Sequence, residues 1–244
     1  MTITYTGLLT FNGGLPDYTV TLAGKTLGSV TFSGNLGGNG GWTLQDAFNV
    51  GNSTITLTRG SLNTNNQTIT CGSFNSSNSN TRSLTLGSSL ITCSSSGTPW
   101  NFTTVTGLTF NAGTSQIVLA GSSPTFAGGG KTYYNLQLTN TGAGILTISG
   151  SNTFNNLTID TPPKAVNFTV NAAQTINGIF TANGSAGALI TFRSTATPTK
   201  WTINAASANL SYIDVMDSAG GGAAAPFACG ATCVNSGNNT GWGF

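Results

Sequence analysis

A single-domain, all-β parallel β-helix is the architecture expected of this chain: a solenoid of about 22 residues per coil, with irregular loops and a C-terminal cap. Three observations lead there. The stretch Thr153-Phe154-Asn155-Asn156-Leu157 returns 22 residues later as Thr175-Ile176-Asn177-Gly178-Ile179. The same step carries Ser61-Leu62 and Ile69-Thr70-Cys71 to Ser83-Leu84 and Ile91-Thr92-Cys93, and Ile148 to Val170. Apolar residues alternate with Thr and Ser in Tyr18–Leu22, Ser53–Thr58 and Asn135–Thr139, the pattern of half-buried strands. Finally, a chain with no Glu, seven Lys plus Arg and 34 Gly lacks the residues that helical repeats require.

Taken in order, residues 1–50 follow the period least well and include the loose Gly37-Gly38-Asn39-Gly40-Gly41, so they read as an N-terminal cap or attachment segment. Residues 51–235 form the helix proper. Strands of a few residues are separated by Gly, Asn and Ser clusters such as Gly72-Ser73 and Gly150-Ser151-Asn152. Equivalent positions then stack at roughly 4.8 Å. Leu136, Leu157 and Ile179 are expected to form one interior ladder, and Phe154 to lie over Ile176. Asn155 over Asn177 offers stacked amides, although turn preference alone also accounts for Asn there. Val170-Asn-Ala-Ala173 returns as Ile203-Asn-Ala-Ala206 after 33 residues, so the polar segment from Arg193 to Lys200 is expected to bulge as a loop. Such departures from a repeat are where recognition is usually mounted. Residues 236–244 end in Trp242 and Phe244, which either cover the last coil or contact a neighbouring subunit.

Composition narrows the function classes. Charged residues are 5% of the chain and the net charge is +2, with Lys and Arg scattered, so no nucleic-acid footprint exists. No run of eighteen apolar residues supplies a membrane span. The start lacks the charged and apolar regions of a secretory signal, which leaves cytoplasmic assembly, as for a virus particle, or a leader already removed. Weak surface charge favours association, so a homo-oligomer is expected. Cys71 and Cys93, one period apart, read as small buried hydrophobes in a stacked column. Cys229 and Cys233 leave two states open, a disulfide in an oxidising exterior or free thiols. Without His or CxxC spacing neither pair points to a metal, and no cofactor is called for.

Catalysis finds few candidates. The acids are Asp17, Asp46, Asp160, Asp214 and Asp217. Glycoside hydrolysis needs two carboxylates a set distance apart, and Asp214 and Asp217 should face opposite ways along a strand. A lyase needs acids near a base, and Arg193 and Lys200 have no acid close in sequence. Gly128-Gly-Gly-Lys131-Thr132 lacks the spaced first Gly of a phosphate loop. Threonine ladders that match a crystal lattice are a third class. Thr54, Thr56 and Thr58 alternate, as do Thr68 and Thr70, but the pattern is not expected to persist beyond residue 110. The many Asn-x-Ser/Thr sequons follow from composition.

Residues 42–75, Phe126–Leu136, Gly150–Leu157 and the ending Leu210-Ser-Tyr-Ile-Asp-Val-Met-Asp-Ser218 with Asn238–Phe244 resemble repeat-rich parallel β-helix surface and virion-appendage proteins of phages and bacteria. The resemblance implies a virion or extracellular surface location. The expectation is therefore a non-enzymatic structural and adhesive protein, a β-helical subunit of a phage appendage or capsid decoration. Its partners would be further virion or filament subunits and host-surface glycans. Tyr133, Tyr134 and Trp100 would stack on sugar rings if exposed, with burial the plainer reading. The alternatives are a subunit of a bacterial extracellular filament or adhesin, then a polysaccharide-degrading β-helix enzyme.

Overall fold

The computed structural model describes residues 5–37, 39–139, 144–160 and 164–244, so Gly38 of the glycine loop and residues 1–4 of the N-terminal segment lie outside it. The protein is an all-β solenoid of parallel strands, with about ten turns of roughly 22 residues. Among the described residues the one helical piece is the 3-10 turn Gly230–Thr232. The chain forms two compact units, Met1–Val118 and Leu119–Phe244.

In the first unit each coil has three faces. One stacks the strands Leu9–Gly13, Val30–Gly34, the start of Thr54–Asn63, Ser73–Asn75 and Gly97–Asn101. The next stacks Tyr18–Val20, Gly41–Leu44, the end of Thr54–Asn63, Arg82–Thr85 and Leu108–Asn111. The third stacks Phe48–Asn49, Ile69–Cys71 and Leu90–Cys93. Strands appear in residues 9–49, so most of the segment expected to cap or attach is itself coiled and in register. The 22-residue partners Ile69/Ile91, Cys71/Cys93 and Leu62/Leu84 sit directly above one another. Alternation sends one side chain of each pair inward, which buries Phe32, Leu57, Phe74, Trp100 and their neighbours. The aromatic rings continue the stack: Phe11 lies 5.0 Å from Phe32, and Phe74 5.1 Å from Trp100.

In the second unit one face stacks Pro124–Ala127, Ile145–Ser149, Lys164–Phe168, Ile190–Ser194, Ile213–Met216 and Val234–Gly237. Another stacks Thr132–Leu138, Thr153–Ile159, Ala173–Asn183, Trp201–Ser211 and Ser218–Gly221. Here the period is less strict, and three expected registers shift. Phe154 lies over Ile176 as expected, but Leu157 pairs with Phe180, because the strand Ala173–Asn183 carries an extra residue between them. Ile179 is thereby turned outward and is about half exposed, so the interior ladder is Leu136, Leu157, Phe180. The bulge is held where the Ile179 amide donates to Asn156 Oδ1 at 2.8 Å. Ile148 pairs with Phe168 and not with Val170, which sits in the following turn. Ile203 pairs with Gln174, a step of 29 residues and not 33, so the loop from Arg193 to Lys200 is shorter than the motif match implies. Amide links between coils run from Asn156 Nδ2 (3.0 Å) and Asn155 Nδ2 (3.4 Å) to Asn135 Oδ1, so Asn155 is tied to the preceding coil and not to Asn177.

Candidate binding groove

A groove of about 430 Å³ opens in the first unit where the first face turns into the second. Its origin is a difference in loop length. Most coils leave the first face through a short excursion, which the described residues 14–17, 35–37 with 39–40, 76–81 and 102–107 trace. The strand Thr54–Asn63 has no loop and simply bends at Gly60. Only glycine can make that bend, since φ is +82° and a Cβ would overlap the Gly40 carbonyl oxygen. Gly40 (φ +125°) meets the same limit against Gly13 and Gly34. The missing loop leaves a trough with Gly40, Gly60 and Ser61 along its base, and Pro16, Asn39, Thr81 and Arg82 at its sides.

Arg82 fixes one wall. It is 2% exposed and has no acidic partner; instead every guanidinium N–H meets a neutral oxygen. Nε donates to Ser76 Oγ at 2.7 Å, Nη1 to the carbonyls of Asn80 (2.8 Å) and Thr106 (2.9 Å), and Nη2 to those of Ser76 and Thr104. Full satisfaction makes burial of this charge tolerable, and desolvation still lowers its pKa. The guanidinium thus ties the 76–81 and 102–107 loops together and spends its donors on them. Beside the floor, Arg59 donates to Asn80 Oδ1 at 3.0 Å.

What remains open in the trough is neutral. Ser61, Ser83 and Thr109 are in register on successive coils and partly or fully exposed. Their side-chain hydroxyls have no protein partner among the described residues. A second depression of about 310 Å³ adjoins at Gly13–Gly14, lined by Thr10, Phe11, Tyr18, Thr19 and Trp42 among others. Tyr18 lies against Gly13 and stacks 6.3 Å from the buried Trp42, leaving 37% of its surface exposed.

The residues singled out from sequence are distributed differently. Trp100 and Tyr133 are buried in the interior, where Tyr133 donates its hydroxyl to the Gly128 carbonyl at 2.7 Å, so neither offers a ring to a sugar. Tyr134 is half-buried. Cys71 and Cys93 are buried thiols with sulfurs 3.6 Å apart, and contact with Cys71 plus burial pushes the Cys93 thiol well up. Cys229 and Cys233 form a disulfide around the 3-10 turn, Cα–Cα 5.7 Å. Trp242 packs 4.8 Å from the buried Phe227 and donates Nε1–H to Ser218 Oγ at 3.1 Å, while Phe244 stacks on Trp242 and stays partly exposed.

Arg193 does acquire an acid, one coil away: it pairs with Asp214 at 2.5 Å, and Ser236 donates to the other oxygen at 2.6 Å. Asp217 points inward, 1% exposed, taking Asn238 Nδ2–H on Oδ1 at 2.7 Å and leaving Oδ2 without a described partner. Asp46 accepts the Leu22 and Ala23 amides at 2.8 and 2.6 Å, and Asp160 accepts from Gln137 at 3.2 Å. No group of three or more metal-ligating side chains occurs among the described residues. Threonine columns persist past residue 110, contrary to expectation: Thr132, Thr153 and Thr175 stack, as do Thr125 and Thr147. Each gives way to Asn, at Asn204 and Asn167, just as Thr10, Thr31 and Thr56 give way to Asn75.

Sequence reasoning missed Gly60. The available signal was a glycine interrupting the alternation of the strand Thr54–Asn63. The chain matches no protein-family model, no curated protein and no solved structure.

Proposed function

We propose that the chain is a non-enzymatic structural and adhesive subunit, a β-helical part of a phage appendage or capsid decoration that touches host glycans and neighbouring subunits. One observation carries the reading. Four of the five acids are engaged in holding the coils: Asp46 binds two backbone amides, Asp214 an arginine and a serine, Asp160 a glutamine, and Asp217 is sealed inside, while Asp17 stands exposed by itself in the first unit. A glycosidase needs two carboxylates facing one bond, and these four are each tied to a different coil contact. What such a molecule offers is stacked strands and a surface of hydroxyl and amide groups in fixed register.

The runner-up, a subunit of a bacterial extracellular filament, is favoured by the strand Leu9–Gly13. Among the described residues it pairs only with Val30–Gly34, which leaves one edge for another chain. Electron microscopy of the purified protein, with its mass measured in solution, separates the two. Discrete monomers or small closed oligomers are expected of the appendage subunit. Fibres that lengthen with concentration would replace it with the filament reading, and turnover of a polysaccharide at enzymatic rates would overturn both.

A further inference from the structure

We infer that the trough in the first unit is a binding site for a neutral, extended glycan, lying over Ser61, Ser83 and Thr109. This deepens the adhesive reading and rests on it.

The chemistry of the lining selects the ligand class. The groove contains one charged side chain, Arg82, and all of its donors are already committed to Ser76 and to backbone carbonyls. Among the lining residues an anionic ligand would find no free charged donor, and an apolar peptide would find no large apolar side chain beyond Pro16. A sugar chain suits it. Hydroxyls both donate and accept, so Ser61, Ser83 and Thr109 can meet a partner whose hydroxyls also do both. They recur once per coil, roughly every 4.8 Å, a spacing comparable to one sugar ring in an extended chain. Asn39 adds an amide at the rim. The trough is also built before any ligand arrives, because Gly40 and Gly60 set its floor and Arg82 ties its wall.

The test is calorimetric titration of the full chain with cellohexaose, maltohexaose and mannohexaose, and with hexagalacturonate as the anionic probe. At least one neutral hexasaccharide should bind, more tightly than hexagalacturonate. Ser83→Arg, which fills the trough from a half-buried position, should weaken that binding at least tenfold, as should Thr109→Arg from the exposed end of the column. A circular-dichroism melt within a few degrees of the parent shows that each variant is folded. If Ser83→Arg unfolds, Thr109→Arg alone decides. No binding by any neutral probe, equal binding by either folded variant, or preference for hexagalacturonate would overturn the proposal. Those results leave the structural reading standing, since that reading fails by fibre growth or turnover instead.

Discussion

The two units each contain an arginine that ties one coil to the next, and the pair behaves in opposite ways. Arg82 is sealed in the first unit with five neutral partners, and the groove forms beside it. Arg193 in the second unit is partly exposed and neutralised by Asp214, beside the loop that runs to Lys200. The longer departure from the repeat is the one at Arg193–Lys200, yet this groove belongs to the coil that lacks a loop. A recognition surface on a solenoid is shaped by the difference between adjacent loops, and a missing excursion contributes as much as a long one.

The sharpest way to break this contrast is at Arg82. Arg82→Met strands four carbonyls and a serine hydroxyl that now share its protons, so chemical denaturation should show a loss of about 3–5 kcal/mol. A loss below 1 kcal/mol would show that the loops hold themselves. Next comes Gly60→Ala, which forces a side chain into positive φ and against the Gly40 carbonyl. Its expected cost is about 2 kcal/mol, read from the shift in denaturation midpoint.

Lys164 sharpens the comparison from the other side, as a buried cation less well satisfied than Arg82. It is 3% exposed and donates to the Leu138 carbonyl at 3.3 Å; burial brings its pKa down to about 8, with Asp160 opposing. A lowered lysine binds its proton less well when folded, so it penalises stability below pH 8 and releases that penalty as pH rises toward its ordinary value of 10.5. Lys164→Met should therefore gain about 1 kcal/mol at pH 7 and lose the rise that the parent shows above pH 8. The raised Cys93 thiol acts oppositely, drawing stability down at alkaline pH in both proteins, so the difference between parent and variant is the quantity to plot. The smallest effect is expected of Asp214→Asn: an ion pair that solvent still reaches, with Arg193 26% and Asp214 14% exposed, contributes about 1 kcal/mol or less, and the melt should barely move.

Much of the architecture was legible because a solenoid writes its period into the chain. Ile69/Ile91, Cys71/Cys93 and Leu62/Leu84 keep step where each coil has the same length. Legibility fails where one residue is inserted within a strand. Ile179 matches Leu157 in type and spacing, but the bulge at Asn156 turns it out and puts Phe180 in its place. Composition cannot signal that, because both residues are apolar. The groove was less legible still. It depends on Gly60 standing where neighbouring coils have loops, and a lone glycine in a glycine-rich sequence carries little signal. Aromatics mislead in the same way: Trp100 and Tyr133 fill the core, while Tyr18, in register with the buried Trp42, stays 37% exposed.

Hydrogen exchange on the full chain, with and without the neutral hexasaccharide that binds best, tests the central contrast most directly. Slowed amides are expected at residues 39–41, 60–62 and 82–84, with unchanged exchange from Arg193 to Lys200. Protection confined to the Arg193–Lys200 loop would contradict it, and would return recognition to the longer excursion.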